Sequence, residues 1–174
     1  KELDETTLRE ILKSCNFSFV LEGINRLQSM LWCELKDSYV QQSQRYVAVD
    51  QEGYTLPALK PTDQNQAEKL ISQALTLYQQ MTVLKEDFKG RPKPEHYQYG
   101  IAIEDGRYLL PLAIKTNVTT AMSGDKLVDA LRLFQDKQYG NLFAEIKVAL
   151  LSLLPPSLRN ILETLVFDYA DNAL

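Results

Sequence analysis

An α+β fold is what this sequence predicts, and three observations predict it. Apolar residues recur at helical spacing in several separate segments, the clearest running from Asn65 to Lys89. A few short runs rich in aromatic and β-branched residues lie among them without a regular strand–helix alternation. The composition, 45% hydrophobic and 24% charged over 174 residues, is ordinary globular usage in a chain long enough to bury a core.

Taken in order, Lys1 to Ser14 reads as a helix: Leu3, Leu8, Ile11 and Leu12 give its apolar face, and Asp4 or Thr6 is placed to cap its start. Phe17 to Leu21 alternates and reads as a strand, broken by Gly23. Ile24, Leu27, Met30, Leu31 and Leu35 then follow helical spacing. A turn near Asp37-Ser38 leads into an extended run from Arg45 to Val49, and Gly53 and Pro57 mark a loop. The Asn65 to Lys89 helix carries a stripe of Ala67, Leu70, Ile71, Ala74, Leu75, Tyr78, Met81, Leu84 and Phe88; Gly90 ends it and Pro92 and Pro94 prevent its resumption. Leu109 to Met122 reads as a long strand ended by Gly124, and Lys126 to Gln138 as a helix. A break at Gly140-Asn141 precedes a helix from Leu142 to Leu153, and Pro155-Pro156 opens the last one.

The net charge of −4 has no basic block behind it, which excludes general nucleic-acid binding but leaves room for a small phosphate ligand held by one or two arginines. The two cysteines, Cys15 and Cys33, are not paired in a Cys-x-x-Cys spacing, and with His96 as the only histidine there is no metal constellation. Two reduced thiols, no apolar run of ~18 residues and no secretory pattern give the expectation of a cytoplasmic protein without a membrane partner. Residues 1–174 are expected to form a single domain, alone or as a piece of a longer protein. No glycine-rich phosphate loop, nucleophile elbow or nucleophile–base pair stands out, and His96 reads as a loop residue.

One pair of motifs does carry chemistry. Ser38-Tyr39-Val40-Gln41-Gln42-Ser43-Gln44-Arg45-Tyr46 is followed at a distance by Gly106-Arg107-Tyr108-Leu109-Leu110-Pro111. A hydroxyl, backbone N–H groups and a guanidinium close together are what a phosphate dianion needs. The pair resembles the substrate-binding signatures of the flavin-dependent thymidylate synthases. The resemblance begins at Phe17-Ser18-Phe19 and runs without a gap to Tyr46. It resumes at Glu104-Asp105-Gly106-Arg107 and continues through Thr116-Asn117-Val118-Thr119 to Leu133.

The resemblance implies a small, mostly antiparallel sheet flanked by helices, a homotetramer with sites at subunit junctions, and methylation of dUMP to dTMP with methylenetetrahydrofolate and FAD. It implies dUMP-binding roles for Gln41, Gln42, Ser43, Arg45 and Arg107, with Gln41 in place of an acidic residue. Ser123, Gly124 and Asp125 fall where the family presents an Asn and an Arg near the flavin, and Asp129 where an Asn is common. Cys33, Glu34 and Leu35 occupy the Arg-His-Arg that opens the family signature, Lys13-Ser14 lies where Glu-His is usual, and Phe134 lies where another dUMP-binding Arg is expected. These departures imply a damaged flavin site, in a protein inactive alone or acting with an intact homologous subunit. The other reading is a scaffold or nucleotide-binding protein that keeps the fold.

Overall fold

The computed structural model describes residues 4–35, 38–44, 47–83, 100–135 and 140–167. Its architecture is α+β. The helices are α1 (Glu5–Lys13), α2 (Arg26–Cys33), α3 (Pro61–Met81), α4 (Ile103–Gly106), α5 (Gly124–Leu133), α6 (Gly140–Leu153) and α7 (Pro156–Phe167). The strands are β1 (Asn16–Asn25), β2 (Ser38–Gln41), β3 (Thr82–Val83), β4 (Ile101–Ala102) and β5 (Lys115–Ser123), with a 3-10 turn over Arg107–Leu109.

β5 is the centre of a three-stranded sheet ordered β1-β5-β2. Its neighbours run antiparallel to it. The Thr120 hydroxyl donates to the Ser38 carbonyl and the Thr116 hydroxyl to the Gln42 carbonyl, so one strand's numbering rises as the other's falls. On the β1 side the Gly124 N–H meets the Cys15 carbonyl and the Gly23 N–H meets the Asn117 side chain. Along β5 burial alternates, with Thr116, Val118, Thr120 and Met122 inward, as a strand with one covered face requires. β3 and β4 form a separate short parallel pair, Thr82 opposite Ile101.

The chain gathers into two compact units. The first holds residues 1–21, 30–40 and 118–174, and the second 22–29 and 41–117. In the first, Leu12, Trp32, Leu127, Val128, Leu131, Phe134, Phe143, Leu162 and Leu165 are all buried. α1 docks on α5 there through Arg9 to Asp129 and Arg132 to Glu5, at 3.0 and 2.8 Å. Asp4 caps α1 as expected, its carboxylate accepting the Thr7 N–H at 2.8 Å. In the second unit Ile71, Leu75 and Ile114 form a core with Val49, Tyr54, Leu56, Leu110 and Ala113 packed on it.

Several expected boundaries move, each for a physical reason. Gly23 does not break β1; it sits within it at φ +66, a left-handed conformation that glycine alone adopts cheaply, and the strand continues to Asn25. Ile24 therefore belongs to β1, and α2 starts at Arg26. The strand placed at 45–49 lies instead at Ser38–Gln41: Val47, Ala48 and Val49 are irregular, and Arg45 and Tyr46 lie outside the described residues. α3 begins four residues early, with Pro61 in the first helical position, where its missing N–H is harmless. Leu70, placed on its buried stripe, is 66% exposed, and Leu84 and Phe88 lie outside the described residues. The strand expected from Leu109 starts only at Lys115, because Arg107–Leu109 form a 3-10 turn and Leu112-Ala113 a second turn. α5 and α6 start at Gly124 and Gly140, so the expected break at Gly140 is a helix start. The helix at Pro156 begins as expected.

Candidate functional site

The segment after β2 is held in place by hydrogen bonds within the second unit. β1 passes into α2 at Asn25, which forms a reciprocal capping pair with Gln28. The Asn25 side chain accepts the Gln28 N–H and the Gln28 side chain accepts the Asn25 N–H, both at 2.8 Å. That fixes the first turn of α2 and with it two side chains. The Arg26 guanidinium donates from Nη1 to Gln44 Oε1 at 2.6 Å. The hydroxyl of Ser29, which is fully buried, accepts from Gln41 Nε2 at 2.6 Å. Between these, the Gln42 N–H donates to the Asn117 carbonyl at 2.8 Å and the Gln42 carbonyl accepts from Thr116 at 3.4 Å. Residues 41–44 are thus fixed at Gln41, Gln42 and Gln44, with half-buried Ser43 among them.

Arg107 is positioned by a close approach. Gly106 lies so near the end of α3 that a Cβ there would meet Thr82 Cγ2 at 2.2 Å and the Tyr78 ring at 3.4 Å. This lets α4 lie against β3 and brings the 3-10 turn that starts at Arg107 against α3. The Arg107 side chain is half-buried, and among the described residues it makes no hydrogen bond or ion pair. Nor does any such bond join it to Gln41, Gln42 or Ser43, so the two expected halves of the site share a unit without a direct link. Arg45 lies outside the described residues.

The residues expected near a flavin belong to the first unit. Ser123 and Asp125 are joined by a hydrogen bond from the Ser123 hydroxyl to Asp125 Oδ1 at the start of α5. Burial pushes the Asp125 carboxyl up. The Ser123 hydroxyl, the N–H groups of Lys126 and Asp125 and the charge of Lys13 outweigh it and leave the group below its ordinary value of 3.8. Gly124 is there for space, since a Cβ would meet the Leu12 carbonyl oxygen at 2.8 Å. Cys33, Glu34 and Leu35 close α2, with Glu34 exposed. Asp129 is engaged by Arg9 at 3.0 Å and Lys126 at 3.9 Å. Phe134 is 2% exposed and stacks on Trp32 and Phe143, so that position is core.

The motif alone did not reveal Arg26 and Ser29 as the residues that hold Gln44 and Gln41. Their signal was the Asn25…Gln28 capping spacing, which sets Arg26 and Ser29 three apart on one helix face. Among the described residues no group of acidic, histidine and cysteine side chains could hold a metal, and no helix is long and apolar enough to cross a membrane.

Against known proteins, the family model described as thymidylate synthase complementing protein matches residues 4–143. The flavin-dependent thymidylate synthase of Pyrococcus furiosus is 29% identical over 121 residues, covering 65% of this chain and 43% of that protein. The one from Clostridium tetani is 29% identical over 127 residues, 70% of this chain and 51% of that protein. The chain therefore spans about half the length of the curated relatives it matches. Among solved structures, a flavin-dependent thymidylate synthase from Helicobacter pylori complexed with FAD and dUMP superposes with a TM-score of 0.63 at 14% identity, covering 93% of this chain and 83% of that one. A second structure of the Helicobacter pylori protein with the same ligands also gives 0.63, at 16% identity over 91% and 76% of the two chains.

Proposed function

The chain belongs to the thymidylate synthase complementing protein family, and from that premise we propose that it binds dUMP while its own flavin site is impaired. Gln41, Gln42, Ser43, Arg45 and Arg107 are the residues assigned to the nucleotide. In the family reaction dUMP is methylated to dTMP with methylenetetrahydrofolate and FAD. On this reading the chain is inactive alone or acts with an intact homologous subunit, in a homo-oligomer or a mixed tetramer.

The observation that carries the reading is the fixed 41–44 segment. The Gln42 backbone and the Gln41 and Gln44 side chains are held before any ligand arrives, which lowers the ordering cost of binding. Arg107, unpaired among the described residues, supplies a cation in the same unit.

The residues assigned to FAD fit a doubly phosphorylated cofactor poorly. Glu34 is an exposed carboxylate where a cationic donor is expected, and Asp125 is held ionised at the start of α5, where a helix would otherwise offer its N–H groups to an anion. Each lost charge-assisted hydrogen bond removes ~1.5–3 kcal/mol, so two or three would weaken FAD by orders of magnitude. Phe134, buried where a further nucleotide-binding Arg is expected, favours the second reading, a scaffold or nucleotide-binding protein that retains the fold.

The test is the absorption spectrum of freshly purified protein together with calorimetry. Binding of dUMP without sub-micromolar FAD binding is expected. Near-stoichiometric flavin overturns the impaired site, and absence of dUMP binding leaves the scaffold reading. Sedimentation, alone and after co-expression with an intact homologue, decides the assembly.

A further inference from the structure

We propose that Arg26 is a positioning residue of the nucleotide site, acting through the Gln44 carboxamide, and that Gln44 Nε2 donates to an acceptor oxygen of the bound nucleotide. The inference rests on the reading of residues 41–44 as part of that site.

A guanidinium has only donors, so it meets the Gln44 carboxamide through the oxygen. The 2.6 Å contact from Arg26 Nη1 to Gln44 Oε1 therefore sets which way the amide faces. Flipped, it would put two donors against each other. Arg26 itself is anchored, its backbone N–H shared between the carbonyls of Leu112 and Ile114 at 3.0 and 3.1 Å. The consequence falls on the other end of the amide. Gln44 Nε2 is buried and, among the described residues, has no hydrogen-bond partner. Folded proteins seldom leave a buried donor without an acceptor, and the exceptions call for a reason. Gln44 directly follows Ser43, so an oxygen of a nucleotide held at Ser43 is an acceptor within its reach. Three residues along the same helix face, Ser29 holds Gln41 at 2.6 Å. One face of α2 thus grips both residues that flank Gln42-Ser43.

The experiment is calorimetric titration with dUMP of the unaltered chain, Arg26→Met, Arg26→Lys, Gln44→Met and the Arg26→Met/Gln44→Met double variant. Each Met substitution is expected to weaken dUMP about three- to tenfold, the worth of one neutral hydrogen bond. The double variant should be no weaker than the poorer single, because both remove the same contact. Arg26→Lys, which keeps a donor, should recover part of the loss. Unchanged affinity in Gln44→Met, or losses that add in the double variant with no recovery by Lys, overturns the proposal; so does a loss in the Met variants that tracks an equal fall in the urea-unfolding midpoint, because a merely structural contact couples the same two side chains. If Arg26→Met fails to fold by circular dichroism, Gln44→Met and Arg26→Lys decide. The same series with deoxyuridine places the acceptor: a loss confined to dUMP assigns it to the phosphate, and a loss shared with deoxyuridine assigns it to the nucleoside. An unaltered chain that does not bind dUMP overturns the nucleotide reading itself. Binding by the unaltered chain with no effect of Gln44→Met overturns only this inference.

Discussion

Phe134 lies nearly parallel to Phe143, with ring centroids 4.5 Å apart and planes 19° apart, and also stacks on Trp32 at 5.6 Å. All three rings are buried. Truncating the middle ring leaves a cavity in a close-packed interior. Phe134→Ala is expected to destabilise the fold by about 3–5 kcal/mol, read as a lowered midpoint of urea unfolding. Phe134→Arg, which restores the residue type expected from the family resemblance, should cost at least as much, because it places a charge among aromatic rings. A Phe134→Arg variant of unchanged stability would show that the ring cluster is not what fixes this position.

At the start of α5 the constraint is space. A Cβ at Gly124 would meet the Leu12 carbonyl oxygen at 2.8 Å and Leu12 Cβ at 3.0 Å, and backbone cannot swing aside as a side chain can. Gly124→Ala is expected to destabilise by about 1–3 kcal/mol, with α1 displaced from α5. Thermal melting checks the first effect and hydrogen exchange of the α1 amides the second; unchanged protection in α1 counts against the contact.

Stability should fall on the acid side through Glu5. Burial pushes its carboxyl up, but hydrogen bonds and charge from Arg132 and Arg9 outweigh that and leave it below its ordinary value of 4.5. A carboxyl lowered in the folded state contributes stability fully above its unfolded value and loses that contribution as pH falls through its folded value. The contribution is therefore complete above about pH 4.5 and fades below it. For partly exposed pairs it amounts to about 1 kcal/mol. Glu5→Gln should flatten that part of the acid limb in melting temperature measured against pH. An unchanged limb assigns the acid sensitivity to other carboxyls.

Flavin affinity should respond to charge at the end of α2. The triple change Cys33→Arg, Glu34→His, Leu35→Arg removes an anion and adds donors, and is expected to tighten FAD at least tenfold by calorimetry. If affinity does not move, the defect lies at Ser123 to Asp125 instead, and Asp125→Asn is the next change to show it.

Much of this fold was legible because its signals are local. The Asp4 cap, the end of β5 at Gly124 and the helix start at Pro156 each depend on one residue's own chemistry. The misplaced elements depend on distant partners. Gly23 reads as a breaker, yet in the chain its N–H finds the Asn117 side chain and the strand carries on. Ser38–Gln41 shows no alternation because all four residues are exposed, and it is a strand only by pairing with β5. For the site, the motif singled out Gln41, Gln42 and Ser43. Ser29 holds Gln41, Thr116 holds Gln42 and Arg26 holds the neighbouring Gln44; these three come from other elements and leave no mark within the motif.

The junction between β5 and α5 has no loop: Ser123 is the last strand residue and Gly124 the first helical one. Length variation therefore has nowhere to be absorbed at this point. One residue inserted here would turn α5 by about 100° around its own axis, since a helix makes a full turn every 3.6 residues. Leu127, Val128 and Leu131 would rotate away from the interior together, and Arg132 would leave Glu5. Homologous chains should thus keep both the residue count and the small residue at Gly124 across this junction, and their insertions and deletions should fall in loops away from it.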